Sequence, residues 1–112
     1  MDSDSIPLFA YGTLLDPKVQ LRVFGHELWG ESDELQGYVL RQNSVAGCYP
    51  DIVPNSDSEC EVCGRCFYIT PDELELADAY ETELYFRKWV TLNSGKRAWV
   101  YLAANNGIKN EI

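Results

Sequence analysis

The sequence predicts an α+β fold with a strongly bent, barrel-like sheet. Three observations carry that expectation. A short apolar run, "IPLFAY" (6–11), leads straight into a tight turn and a capped helix. A second helix, "TPDELELADAYE" (70–81), carries a complete start signal and sits between strand-like segments. Two alternating segments then flank "NSGK", which reads as a hairpin. The order β-α-β-loop-β-α-β-β places helices among strands without a regular βαβ repeat, which points to α+β.

The elements follow in chain order. "IPLFAY" has no polar alternation, so it suits a strand buried on both faces. Gly12 permits a tight turn. Asp16 then caps a helix whose first residue is Pro17 and whose terminator is Gly25. "ELQGYVLRQ" (34–42) reads as one strand, with Gly37 as a bulge or a point of close approach. Residues 43–59 are rich in Pro, Ser, Asn, Asp and Gly and read as a long loop in which "CYPDIVP" (48–54) pairs briefly. A loop of that length in a small domain usually covers a site. Residues 61–69 form the next strand. Thr70, Pro71 and Glu73 form a capping box at the start of the second helix. Segments 85–92 and 97–103 form the hairpin, with Phe86, Val90 and Leu92 on its core face.

With 112 residues the chain supports one core, hence a single domain over 1–112 with tails at 1–5 and 105–112. No apolar run approaches the roughly 20 residues of a membrane helix. "MDSDS" is unlike a signal peptide, so the expectation is a cytoplasmic protein with no membrane partner. Net charge is −9, and no basic stripe exists to displace counterions from phosphates, which argues against nucleic acid. The turn at Gly12 lacks the lysine and second glycine of a phosphate loop. Cys60, Cys63 and Cys66 form C-x2-C-x2-C without a nearby fourth ligand. On a strand Cys63 faces away from the other two, so these read as ordinary thiols, with Cys63 and Cys66 partly buried. The alternative is a thiol metal site. The single His26 gives no His-rich metal site or Ser–His triad. The expectation is no metal and no cofactor.

The acids divide by position. Asp72, Glu73 and Glu75 begin the second helix, where they complement the helix dipole. Glu81 ends it, within "DAYETELYFR" (78–87), where the dipole disfavours a carboxylate and neighbouring rings exclude water. Both effects raise a carboxyl pKa toward neutrality, as a proton shuttle requires. Tyr85 and Arg87 lie two apart and share one strand face. The competing reading is a plain ion pair of Arg87 with Glu81 or Glu83.

"FAYGTL" at 9–14 and "DAYETELYFR" at 78–87 together resemble the gamma-glutamylcyclotransferase-like, AIG2-like family. The matching positions are Tyr11-Gly12-Thr13-Leu14, then Asp78, Tyr80, Glu81, Tyr85 and Arg87, with Gly64 between them. The likeness spans about residues 6–104. Thr82 departs from it, since a glycine is common after the glutamate. The resemblance implies a small mixed β-barrel with flanking helices. It implies an enzyme of the transferase or lyase kind that releases 5-oxoproline and an amine or amino acid from a small gamma-glutamyl amide. Glu81 is then the catalytic acid/base, and Gly12, Thr13 and Leu14 offer backbone N–H groups to the glutamyl part. Tyr11 leans on substrate or fills the barrel, Tyr85 hydrogen-bonds near Glu81, and Arg87 orients Glu81 or closes the rim. The leaving amine is chosen by the 43–59 loop and the C-terminal tail. The alternative is a non-catalytic small-molecule or partner-binding member of the same fold. Neither the oligomeric state nor the specific amide is legible.

Overall fold

A computed structural model describes residues 5–47, 49–56 and 61–104, with Ser44 described by its backbone alone. Seven strands and two α-helices occur in it: β1 (Ile6–Ala10), α1 (Pro17–Phe24), β2 (Gly30–Gln36), β3 (Tyr38–Val45), β4 (Tyr49–Pro54), β5 (Glu61–Ile69), α2 (Pro71–Glu81), β6 (Tyr85–Thr91) and β7 (Arg97–Ala103). Single 3-10 turns at Thr13–Leu15 and Thr82–Leu84 follow β1 and α2. Apart from Ser5, the tails expected at 1–5 and 105–112 lie outside the described residues.

The main sheet has the order β2-β5-β1-β7-β6, with β1 and β7 parallel and the other neighbours antiparallel. The α+β class and the mixed sheet are therefore those the sequence predicts. The sheet does not close into a barrel, because β2 and β6 remain its edges. Instead the β6–β7 turn reaches across to β2. The Asn93 N–H donates to the Glu34 carbonyl at 2.8 Å, and Ser94 Oγ donates to Asp33 Oδ2 at 2.6 Å. The Ser94 hydroxyl and N–H, both donating to the Asp33 carboxylate, account for that buried aspartate on an edge strand.

β1 occupies the middle of the sheet and contributes to two cores. Leu8 and Ala10 pack under α1 and α2 with Val19, Phe24, Leu74 and Ala77. Phe9 points the other way, toward Ile52 of β4 together with Val62, Cys66 and Val100. The sheet is thus covered by helices on one face and by the β3–β4 hairpin on the other. Both α-helix starts form as their sequences require. Asp16 accepts from the Lys18 N–H, and Thr70 and Glu73 complete a reciprocal capping box. Gly25 ends α1 at φ 84°.

Several expectations are corrected. Residues 34–42 are not one strand. Gly37, at φ 86°, breaks the segment, so β2 extends back through the polar "GESDELQ" and β3 begins anew. The expected loop is mostly a hairpin, in which β3 pairs with β4 through an irregularity between Arg41 and Val45. Phe86 is 46% exposed near the start of an edge strand, whereas Val90 and Leu92 reach the core. Cys66 is fully buried and Cys63 exposed, so neither is partly buried. Cys48 and Cys60 lie outside the described residues. Among the described residues, no group of three His, Cys, Asp or Glu is placed to hold a metal ion. Also among them, no helix is long and apolar enough to cross a membrane.

One glycine governs the join of β1 to β5. A Cβ on Gly64 would collide with the Ala10 carbonyl oxygen and press on the Phe9 ring. The obstacle is backbone in the sheet centre, which has nowhere to move. Gly64→Ala is therefore expected to destabilise the fold by about 3 kcal/mol, the upper end for overpacking, read as a fall in the urea midpoint. An unchanged midpoint would contradict this packing.

Candidate functional site

The site grows from two chain turns that face each other. After β1 the chain bends at Gly12 into the 3-10 turn Thr13–Leu15. The Leu15 and Asp16 N–H groups close that turn onto the Gly12 and Thr13 carbonyls. Among the described residues, the N–H groups of Gly12, Thr13 and Leu14 find no acceptor. Pro50 of β4 sits over the bend, its Cγ only 3.2 Å from where a Gly12 Cβ would stand. Any side chain there would press the hairpin away.

Opposite lies the end of α2. Its last residue is Glu81, and Thr82 reverses the chain at φ 60° and ψ −160°. The Thr82 N–H donates to the Asp78 carbonyl, and its hydroxyl donates to the Glu81 carbonyl. Thr82 sits in a region that glycine occupies freely and a β-branched residue does not.

Between the two turns is a cavity of about 190 Å³. Of the seven site residues singled out from the sequence, six line it: Tyr11, Gly12, Thr13, Leu14, Glu81 and Tyr85. Arg87 does not. It is held outside by Asp78, with Nε and Nη2 donating to the two carboxylate oxygens at 2.7 and 3.0 Å, and it stacks over the Trp99 ring. The ion pair of Arg87 is thus with Asp78, not with Glu81 or Glu83. Tyr101 Oη donates to the same Asp78 oxygen at 2.7 Å.

Sequence reasoning passed over other walls of the cavity. Phe9, Tyr49, Pro50, Tyr80, Leu84 and Tyr101 also line it, with Ala10 and Thr82. Tyr101 hides within an apolar strand, where nothing distinguishes it from core. Tyr49 and Pro50 fall inside the segment expected to cover a site. Tyr80 lies in the quoted motif itself, beside the glutamate.

The ring hydroxyls are largely committed. Tyr11 Oη donates to the Tyr101 carbonyl at 2.7 Å, and Tyr85 Oη donates to the Pro50 carbonyl at 2.6 Å. Tyr80 and Thr13 share a hydroxyl hydrogen bond of 2.7 Å. Tyr11, Tyr85 and Tyr101 are all pushed above the usual phenol value, first by burial, so they stay neutral donors. Glu81 is the exception to this pairing: among the described residues, nothing hydrogen-bonds its carboxylate. Burial, and then the Asp78 charge one turn back, push its pKa up to about 7. Asp78 itself is pushed up by burial, but the Arg87 and Tyr101 hydrogen bonds outweigh that and hold it below the usual carboxylate range. Two carboxylates three residues apart on one helix therefore differ in state near neutrality.

The family model described as "Gamma-glutamyl cyclotransferase, AIG2-like" matches residues 8–112. The chain belongs to this gamma-glutamyl cyclotransferase, AIG2-like family. Two Arabidopsis thaliana proteins known from solution structures resemble it. One is 30% identical, with a TM-score of 0.80 over 95% of this chain and 74% of its own. The other is 25% identical, with a TM-score of 0.79 over 97% of this chain and 68% of its own. A protein named gamma-glutamyl cyclotransferase is 21% identical and shares the fold, with a TM-score of 0.68 over 88% of this chain and 66% of its own. A comparison with curated proteins finds no match.

The cyclotransferase-family site carries two local costs, and each is measurable. The Glu81 carboxyl is held above its unfolded value of 4.5, at about 7. The folded state then binds the extra proton between these values, so stability is full below pH 4.5 and is lost as pH rises through 7. At about 1.36 kcal/mol per unit the ionised form costs about 3 kcal/mol. Glu81→Gln is expected to raise the melting temperature markedly at pH 8 and little at pH 5; equal effects at both pH values would contradict the burial. Thr82→Gly should stabilise by about 1 kcal/mol, since relief of a 1–3 kcal/mol strain exceeds the entropy cost of glycine. A drop in the melting temperature of this variant would count against the strain.

Proposed function

We propose that the protein cleaves a small gamma-glutamyl amide by intramolecular cyclisation, releasing 5-oxoproline and an amine. The observation that carries this reading is a half-buried glutamate that, among the described residues, has no hydrogen-bond partner and faces backbone N–H groups likewise without acceptors across a small cavity. Family membership supports a cyclotransferase-like enzyme at the level of the family.

The chemistry asks for little more. The substrate's α-nitrogen forms a bond to the γ-carbonyl carbon, and the bond from that carbon to the amide nitrogen breaks. The α-ammonium loses two protons in becoming a lactam N–H. The departing nitrogen takes up two in becoming an ammonium. The step consumes no water and is balanced in protons, so it needs a carrier rather than a reagent. Glu81 is that carrier: it takes a proton from the α-ammonium and returns one to the leaving nitrogen. A pKa near 7 suits both duties. The N–H groups of Gly12, Thr13 and Leu14 hold the glutamyl part, as its α-carboxylate or as the developing oxyanion. Because the ring closes within one molecule, holding the chain bent supplies much of the acceleration. Tyr85 steadies Pro50 over the cavity, and Arg87 anchors the helix end through Asp78.

The test is to incubate the protein with a panel of gamma-glutamyl amides and assay 5-oxoproline. Turnover should appear in the wild type and fall by ~10²–10⁴ in Glu81→Gln, the usual weight of general acid–base catalysis. The acid limb of kcat/KM should have an apparent pKa of about 7, since the ionised carboxylate is the base. Full activity in Glu81→Gln would falsify the role. No turnover across the panel would leave the non-catalytic binding member of the fold as the reading.

A further inference from the structure

We infer that the outer edge of β6 is a docking site for an extended acidic segment of a partner protein, which joins the main sheet as a further strand. The first observation is the edge itself. β6 ends the main sheet, and among the described residues no strand lies on its outer side. The Leu92 N–H donates to the Lys96 carbonyl, and the Ala104 N–H donates to the Leu84 carbonyl. The register runs from Tyr85 opposite Ala103 to Thr91 opposite Arg97, so the even-numbered residues of β6 bond to β7. Arg87, Trp89 and Thr91 therefore turn their backbone N–H and carbonyl groups outward. An extended peptide is the ligand that answers such a row.

The second observation is charge. Residues 85–103 hold Arg87, Lys88, Lys96 and Arg97 and no Asp or Glu, in a chain of net charge −9. Arg87 is taken by Asp78, and Lys96 lies 3.9 Å from Glu31. Lys88 and Arg97 are exposed, and among the described residues neither pairs with a carboxylate.

The third is where these cations stand. Lys88 shares a strand face with Phe86, which is 46% exposed. On the other face the Arg97 guanidinium lies over the Trp89 ring at 5.5 Å, and Trp89 is 39% exposed. A strand added to β6 would meet a free cation beside an exposed ring on both faces. Carboxylates alternating with apolar side chains match that surface. A second copy of this chain does not, because edge-to-edge union would bring two acid-free hairpins together. A nucleic acid does not either, since its backbone has no amide groups to pair with the edge. Neither Lys88, Trp89 nor Arg97 lines the cavity, so the surface stands independently of the chemistry proposed there.

The test titrates the full chain with a blocked heptapeptide alternating glutamate and valine. Calorimetry gives the affinity, and amide hydrogen exchange gives the place. The peptide should bind at least about tenfold more tightly than its lysine counterpart or a version with proline for each valine, and added salt should weaken it. Exchange at the Arg87, Trp89 and Thr91 N–H groups should slow by about tenfold or more on binding. Thr91→Pro removes one outward donor without touching the β6–β7 ladder, and Lys88→Glu with Arg97→Glu reverses both free charges. Each should weaken binding by about tenfold with the melting temperature of the Thr91→Pro chain little changed. Equal binding of the lysine or proline peptide overturns the inference. So does protection confined to other residues, tighter binding of an oligothymidylate, protection of β6 by self-association without peptide, or no binding at millimolar concentration. Undiminished affinity in Thr91→Pro and in the double reversal overturns it as well.

Discussion

The site depends on one carboxylate that does not line its cavity. Asp78 receives Arg87 from β6 and Tyr101 from β7, and so fastens the last turn of α2 to two strands. Tyr101 extends the tie, because its carbonyl accepts the Tyr11 hydroxyl at the end of β1. The helix end that bears Glu81 and the turn that bears the free N–H groups are thereby referred to the same residue. Charge-assisted and bidentate bonds are the strongest of their kind, and geometry of this sort survives thermal motion. Glu81, which receives no such bond among the described residues, is positioned through the backbone to which it belongs.

That arrangement places cost and use together. A stable protein would pair the acid at position 81 or expose it, and would put glycine at position 82. Here the acid is half-buried and, among the described residues, unpaired, and a β-branched residue turns the chain just beyond it at positive φ. The surrounding packing is strong enough to tolerate both. Leu74 and Ala77 of α2 are buried against β1 and β5, the capping box secures the helix start, and the Asp78 tie secures its end. A local loss of a few kcal/mol against that support is what a working proton carrier would be expected to carry.

Sequence legibility followed physical locality. The capped helices, the β6–β7 hairpin and the buried run of β1 could be read because their signals lie within the elements themselves. Position 81 could be read for the same reason, as an acid among rings at a helix end. β2 could not. "GESDELQ" is polar, and its strand state is imposed by pairing with β5 and by Asn93 and Ser94 from sixty residues away. The split at Gly37 was visible only as a glycine, since a bulge and a reversal use the same residue. Arg87 shared a strand face with Tyr85, but facing could not say that Asp78 would claim its guanidinium. The dipole and the rings pointed to the right direction for the Glu81 carboxyl. The Asp78 charge, the second cause, needed the helix register and the fold together.

Asp78 also bears on the chemistry through its charge. A carrier that must both take and give a proton works best when neither state is strongly favoured, so displacement of Glu81 in either direction slows one half of the exchange. Burial alone raises the carboxyl, and the Asp78 charge adds to the rise. Asp78 does not act as a bare charge, however, because Arg87 lies across both its oxygens and offsets much of its field. Without Arg87 only the Tyr101 hydrogen bond would oppose the burial that pushes the aspartate upward. With Arg87 and the Tyr101 hydroxyl in place its carboxyl is held below the usual carboxylate range. On the proposed reading the arginine serves the glutamate from outside the cavity, by helping to hold a nearby acid ionised while Glu81 changes its own state.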